Sequence, residues 1–431
     1  MTKLRIHPAW LVAAVAFVAL LGAAGFRAAP GVLMTPLHHE FGWSTSVMSL
    51  AVGINLILYG LTAPFAAALI DRFGIRRITT LALLLVAAGS GLSVFMTASW
   101  QLLILWGLLI GLGTGSMALV FAATVANRWF VERRGLVMGI LTAGSATGQL
   151  VFLPIVAVMA DKSGWRAASL VIAVAALCVV PLVIGLMRNF PEDLGVSPYG
   201  APEGYIPERA AEGGAARRAL EGLRYASHVR SFWALAAAFA ICGATTNGLV
   251  GIHFIPSAHD HGMPETTAAG LLAVVGIFDI LGTVASGYLT DKYNPRILLA
   301  GYYAFRGVGL LFLPALLAST IHPSIVIFVV IYGLDWVATV PPTVALCREI
   351  FGERGTIVFG WVFAAHQIGA AAAAFGAGVI RDTTGTYTIA WFGAAGMCAV
   401  ATVLSISVRK SEEEPLEESD EVRALEQTAP M

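Results

Sequence analysis

Four charged residues of this 431-residue chain lie deep inside long apolar runs: Arg27, Asp279, Arg306 and Asp335. His366 is the histidine placed deepest in such a run. A charge at the centre of a bilayer costs about 3 kcal/mol on the most lenient scale, so each of these needs a partner or a use. An aspartate among apolar side chains can take up and release a proton. A guanidinium in the same setting can hold a carboxylate through two parallel hydrogen bonds. Together they make the inventory for moving an organic anion with protons. Arg27 is the expected anion clamp. Arg306 is expected to brace either Asp279 or Asp335, leaving the other acid for the proton, and the sequence leaves open which. A structural lock between Arg306 and an aspartate is an equally weighted expectation.

At about 1.5 Å per helical residue, Asp279, Arg306, Asp335 and His366 each fall roughly 15–20 Å from the nearest band of loop charges, the middle of a core about 30 Å thick. Arg27 falls nearer the opposite side, just before Pro30-Gly31, which is expected to loosen its helix. Asn55 and Tyr59 share a helix face at i, i+4. With Asn247, His366 and Gln367 they are the further candidates for lining a substrate path, against the alternative that each only bonds a neighbouring helix. Gly139, Gly144 and Gly148 have the spacing of close helix packing.

The elements that must position these residues follow from composition. The chain is 58% hydrophobic and 12% charged, with mean hydropathy +0.79, where soluble chains carry about 25% charged residues. Six apolar runs between residues 9 and 187 and six between 231 and 408 are long enough to span. They are continuous rather than alternating, which indicates helices and excludes a β-barrel. The first run is expected to be kept as a span rather than cleaved as a signal, because 231–256 repeats it. The loops and tails on one side hold 21 Lys and Arg and those on the other side three. The rich side, with both termini, is therefore expected to be cytoplasmic.

The chain also repeats itself. Asp71 recurs as Asp291 and Arg134-Gly135 as Arg354-Gly355, both 220 residues on. The expected organisation is a six-helix half at 1–187, a cytoplasmic linker at 188–230 with a short surface helix near Arg217 to Tyr225, a second half at 231–408 and an acidic tail at 409–431. Asp71, Arg72, Arg76, Arg134, Asp291, Arg296 and Arg354 in the repeated loops are the expected gating charges at the helix ends.

The loop Asp71-Arg72-Phe73-Gly74-Ile75-Arg76-Arg77 resembles the signature between the second and third helices of the major facilitator superfamily, with Ala67 where that family usually has glycine. Gly287 and Asp291 repeat it, with Asn294 and Pro295 in place of glycine. A narrower likeness rests on Asn127-Arg128-Trp129-Phe130, Glu132-Arg133-Arg134-Gly135-Leu136, Pro191-Glu192-Asp193-Leu194-Gly195 and Glu40-Phe41-Gly42-Trp43-Ser44. These are similar to monocarboxylate transporters, oxalate/formate antiporters and anion:cation symporters. The resemblance implies an all-α membrane protein of twelve helices in two pseudo-symmetric halves, the major facilitator fold, working as a monomer in a bacterial inner membrane. It also implies a cation in the first helix, matched by Arg27, and an acid in the eighth, matched by Asp279. Those relatives place an arginine four residues after that acid, where this chain has Thr283.

The expected function is secondary transport of a small organic anion by alternating access with proton coupling. The alternative is proton-driven efflux of amphipathic compounds. Enzyme chemistry is not expected, since His38-His39-Glu40 and His259-Asp260-His261 lie in loops with no partner set for a metal, and no phosphate-binding glycine loop is present. No cofactor and no nucleic-acid partner are expected for a chain of zero formal net charge.

Overall fold

The computed structural model describes residues 7–117, 119–202 and 214–409, with the side chains of Arg27 and Arg134 outside what it describes. The expected acidic tail, from residue 410 onward, also lies outside the described residues. Twelve long helices follow one another among them: α1 Pro8–Phe41, α2 Thr45–Phe73, α3 Ile75–Phe95, α4 Ser99–Trp129, α5 Arg134–Ser163 and α6 Trp165–Leu186. Then come α7 Arg230–Asp260, α8 Glu265–Thr290, α9 Pro295–Leu316, α10 Pro323–Phe351, α11 Gly355–Thr384 and α12 Thr388–Ser407. Eleven are long and apolar enough to cross a membrane, and α5 has the length as well, at 30 residues. Their outer surface is apolar, with Val284 71% and Phe305 70% exposed. Side chains of that kind on the outside require lipid as the surrounding solvent.

Local sequence sets the helix ends. Gly42 takes φ +66° to close α1, a conformation costly for any residue with a Cβ, and the Ser44 hydroxyl then caps α2 by accepting the Val47 N–H. Asn294-Pro295, where the second charged loop departs from glycine, opens α9. The Asn294 side chain accepts the Arg296 N–H, and Pro295 occupies the first turn, where its missing N–H costs nothing. α1 stays helical through Pro30, against the loosening expected there. The lost N–H is tolerated because the neighbouring helices hold this stretch on several sides.

Within the first six helices α1 packs along α5 and α6, α3 along α6, and α2 along α4. Within the last six, α7 packs along α11, α8 along α10, and α9 along α12. The two sets meet along α2–α11, α5–α8 and α1–α7. Small residues allow these approaches. A Cβ on Gly31 would stand 3.1 Å from the Ile252 carbonyl across α1–α7, and one on Gly60 would stand 2.6 Å from Gln367 across α2–α11. Gly144 and Gly148 fit against Phe17 and Ala24 of α1, whereas Gly139 faces open space. The described chain starts and ends on one face, here the terminal face, where the Ser231 hydroxyl bonds the Arg409 carbonyl. A linker helix, Ala215–Ser227, lies on that face against α2 and α11. There the Trp361 indole donates to the Ala219 carbonyl and Arg354 stacks over Tyr225.

Candidate functional site

Arg306 is 1% exposed and makes its ion pair with Asp335, Nε to Oδ2 at 2.6 Å. Its remaining donors reach Cys242 Sγ at 3.0 Å, Thr245 Oγ1 at 3.4 Å, and the carbonyls of Asp335 and Trp336 at 2.7 and 3.3 Å. The guanidinium is thereby saturated by α7 and α10. Among the described residues Asp279 makes no ion pair. Its Oδ1 accepts the Thr283 hydroxyl at 3.1 Å and the Val337 N–H at 3.0 Å. Thr283, where the resembled transporters have arginine, thus gives Asp279 a neutral donor.

The Val337 contact exists because α10 is interrupted. Between Asp335 and Val340 the chain turns without regular helix, and Pro341-Pro342 follow. Neither proline has an N–H, so the carbonyls of Val337 and Ala338 lose their ordinary helical donors. Leaving a backbone group bare in an apolar interior costs about 1–3 kcal/mol, so each must find another partner. Val337 O accepts the Val340 N–H at 2.9 Å, and Ala338 O accepts the Ser286 hydroxyl at 2.5 Å. Trp336 N–H takes Gly333 O, which leaves Val337 N–H for Asp279. Ser286 of α8 thus replaces the one helical bond that the prolines leave open, while Asp279 of α8 and Arg306 of α9 take the Val337 N–H and the Asp335 and Trp336 carbonyls that the irregular turn frees. The Pro-Pro pair was the signal for this in the sequence.

Two other helices depart from α geometry. α4 is π-helical at Leu103–Ile110 and α7 at Ala244–Val250. Such turns release carbonyls and collect at functional places. Asn55 donates to the Trp106 carbonyl in the first at 2.8 Å, and Tyr332 donates to the Thr245 carbonyl in the second at 2.7 Å. Asn55 is thus committed to holding α2 on α4. Asn247 stands half-buried in the second π-helical stretch. It lies one turn before Gly251, as Arg27 lies one turn before Gly31, and α1 and α7 meet at those two glycines.

Tyr59, His366 and Gln367 gather on the α2–α11 seam. The Tyr59 ring meets Phe363 edge-on at 6.0 Å, Phe363 stacks on His366 at 5.8 Å, and His366 reaches Phe239 of α7 at 4.7 Å. His366 Nδ1 and Gln367 Oε1 are buried with no hydrogen-bond partner among the described residues. Unpaired polar atoms at that depth are uncommon and mark a place where another polar group fits. α7 is the wall between this seam and the Arg306–Asp335 pair.

The repeated loops close each half upon itself. Asp71 pairs with Arg128 at 2.5 Å, joining α2 to α4, while Arg128 also covers the Phe190 ring. In the second half Arg296 at the start of α9 pairs with Glu349 of α10 at 2.9 Å and also donates to the Val408 carbonyl. Arg72 lies over Phe73, and the Arg76 backbone N–H is held by Asn189. On the opposite face the contact runs between the halves. Asp382 at the end of α11 accepts the backbone N–H groups of Thr45 and Ser46, at 3.0 and 2.7 Å, and so caps α2. The sequence analysis did not select Asp382.

The family model described as Major Facilitator Superfamily matches residues 15–374 and 258–428. An uncharacterised MFS-type transporter, YcxA of Bacillus subtilis (strain 168), is 24% identical over 88% of this chain and 90% of its own. Monocarboxylate transporter 13 of Rattus norvegicus is 28% identical over 88% and 84%, and monocarboxylate transporter 4 of the same species is 26% identical over 76% and 67%. Among solved structures, a bacterial homologue of the human lysosomal transporter Spinster, inward-facing and unoccupied, superposes with a TM-score of 0.69. It covers 94% of this chain and 96% of its own at 16% identity, a likeness of fold.

Proposed function

Because this chain belongs to the Major Facilitator Superfamily, we propose that it carries a small monocarboxylate across the bilayer by alternating access, coupled to protons. The two six-helix halves rock about the α2–α11 and α5–α8 seams, with the basic terminal face in the cytoplasm of a bacterial inner membrane. The observation that carries the coupling is the charge pairing. Arg306 is taken by Asp335 and Asp279 is left with neutral donors, so Asp279 is the acid free to gain and lose a proton. Arg27 and Asn247, on matching turns of the first helix of each half, with the unpaired His366 and Gln367, are the groups assigned to the anion. The names of the monocarboxylate transporter relatives support that substrate class.

The test is acidification-driven uptake of a panel of labelled carboxylates into proteoliposomes, comparing the native protein with Arg27→Gln and Asp279→Asn. Saturable uptake of one acid that fails in Arg27→Gln, and that loses its proton drive in Asp279→Asn, is the expected result. Full proton-driven uptake by Asp279→Asn sinks the coupling assignment. Export of lipophilic cations with no carboxylate uptake sinks the substrate class and favours efflux.

A further inference from the structure

We propose that the interrupted segment Trp336–Thr339 of α10 is the joint through which Asp279 works: its charged carboxylate holds the Val337 N–H, and neutralising that carboxylate releases the segment. This rests on the reading of Asp279 as the proton carrier and adds what the proton moves.

Three observations converge on the joint. Asp279 spends its bond to Val337 on backbone rather than on a cation, so its charge is read by a helix and not by an ion pair. A charge-assisted bond to a carboxylate is roughly twice as strong as a neutral one, which makes protonation of Asp279 a large change at this one amide. The charged groups that act on Asp279 among the described residues are Arg306 of α9 and Asp335 of α10, and those two engage one another. Arg306 also fixes the near end of the segment through the Asp335 and Trp336 carbonyls.

The far end is a rigid turn, because Pro341-Pro342 cannot rejoin the helix upstream. Between these fixed points, among the described residues, Asp279 and Ser286 bond the chain to α8, and Cys242 Sγ of α7 meets Thr339 Oγ1 at 3.2 Å. Beside it, a groove of about 320 Å³ separates α9 from α10, walled by Phe305, Phe312, Ile327 and Ile331 and ending at Arg306 and Asp335. Helix α10 thus has a joint, a charge that controls it, and an apolar groove beside it toward which it can bend.

The experiment uses the full-length protein in lipid nanodiscs and proteoliposomes. Amide hydrogen exchange of the peptide spanning Trp336 to Val340 is followed in native protein, Asp279→Asn, Asp279→Ala and Ser286→Ala, beside proton-driven uptake, elution and melting. We expect the Val337 amide to exchange about tenfold faster in Asp279→Asn, which keeps an acceptor oxygen but no charge, and faster still in Asp279→Ala. Ser286→Ala loosens the segment severalfold and keeps the pH dependence of uptake. Asp279→Asn loses proton drive, and its elution and melting alongside the native protein show that it folds. Equal Val337 exchange in native protein and Asp279→Asn overturns the joint, even where proton drive is lost and the transport reading stands. Full proton drive in Asp279→Asn overturns the transport reading itself, whatever the amide does.

Discussion

Arg306→Met removes an ion pair and four further hydrogen bonds from a site with almost no access to solvent. Removing one partner of a buried pair costs about 3–5 kcal/mol, because the other charge stays behind. The bared Asp335 and Trp336 carbonyls would add about 1–3 kcal/mol each, an increment that local repacking and protonation of Asp335 reduce. The net expectation is a loss of about 4 kcal/mol. Adding Asp335→Asn to Arg306→Met takes away the stranded charge but leaves the carbonyls bare, so the double variant should recover about 2 kcal/mol of that loss. Thermal unfolding followed by tryptophan fluorescence, in one detergent and at one lipid ratio, ranks the three proteins. An Arg306→Met protein that melts with the native one would refute the structural weight given to this pair. A double variant no more stable than the single would show that the stranded acid is not the source of the loss.

Asp382→Ala removes the cap that ties α11 to α2. In an exposed setting such a contact is worth about 1 kcal/mol, so the open state of that face should gain roughly fivefold in population. Thiol labelling of Ser46→Cys, with and without Asp382→Ala, reads that shift, and equal labelling rates would remove the lock. Asn55→Leu bares the Trp106 carbonyl and should cost about 1–3 kcal/mol in stability while leaving KM for the proposed carboxylate substrate unchanged; a raised KM with native stability would return Asn55 to the substrate path. Asp71→Asn weakens the pair with Arg128, which is partly exposed. It should change stability by less than about 1 kcal/mol in melting assays yet slow uptake, and an unaltered uptake rate would leave these charges with topology alone.

Much of this architecture is legible in the sequence because a bilayer restricts the choices so severely. Long apolar runs can only be helices, and a 220-residue repeat of Asp71 and Arg134 announces two related halves. The depth of Asp279, Arg306 and Asp335 follows from residue counting, and the structure does bring them together. Which aspartate Arg306 takes does not follow, because that depends on the rotation of α9 about its axis, and neighbouring helices set the rotation. The second charged loop misleads for a similar reason. Asp291 repeats Asp71 by position, but the ion pair beside it joins Arg296 of α9 to Glu349 of α10, a different pair of helices from the one Asp71 joins, because sequence position does not say which helix end a charge reaches. Asn55 looks like a path residue from its polarity. Its partner is a carbonyl freed by a π-helical turn in α4, and no side-chain pattern in Leu103–Ile110 encodes that turn.

Helices α7 and α11 meet through bare backbone at three levels. A methyl group on Gly243, Gly248 or Gly369 would stand 1.9, 2.3 or 2.0 Å from the carbonyl oxygen of His366, Ala370 or Ala240. No stepwise enlargement of any of the three is open to mutation, so the spacing of this pair is frozen across any lineage that keeps the fold. Asn247, His366 and Gln367 are carried on the same two helices. On the proposed assignment of those side chains to the anion, a change of cargo comes from exchanging them and not from widening the gap between the rods that bear them.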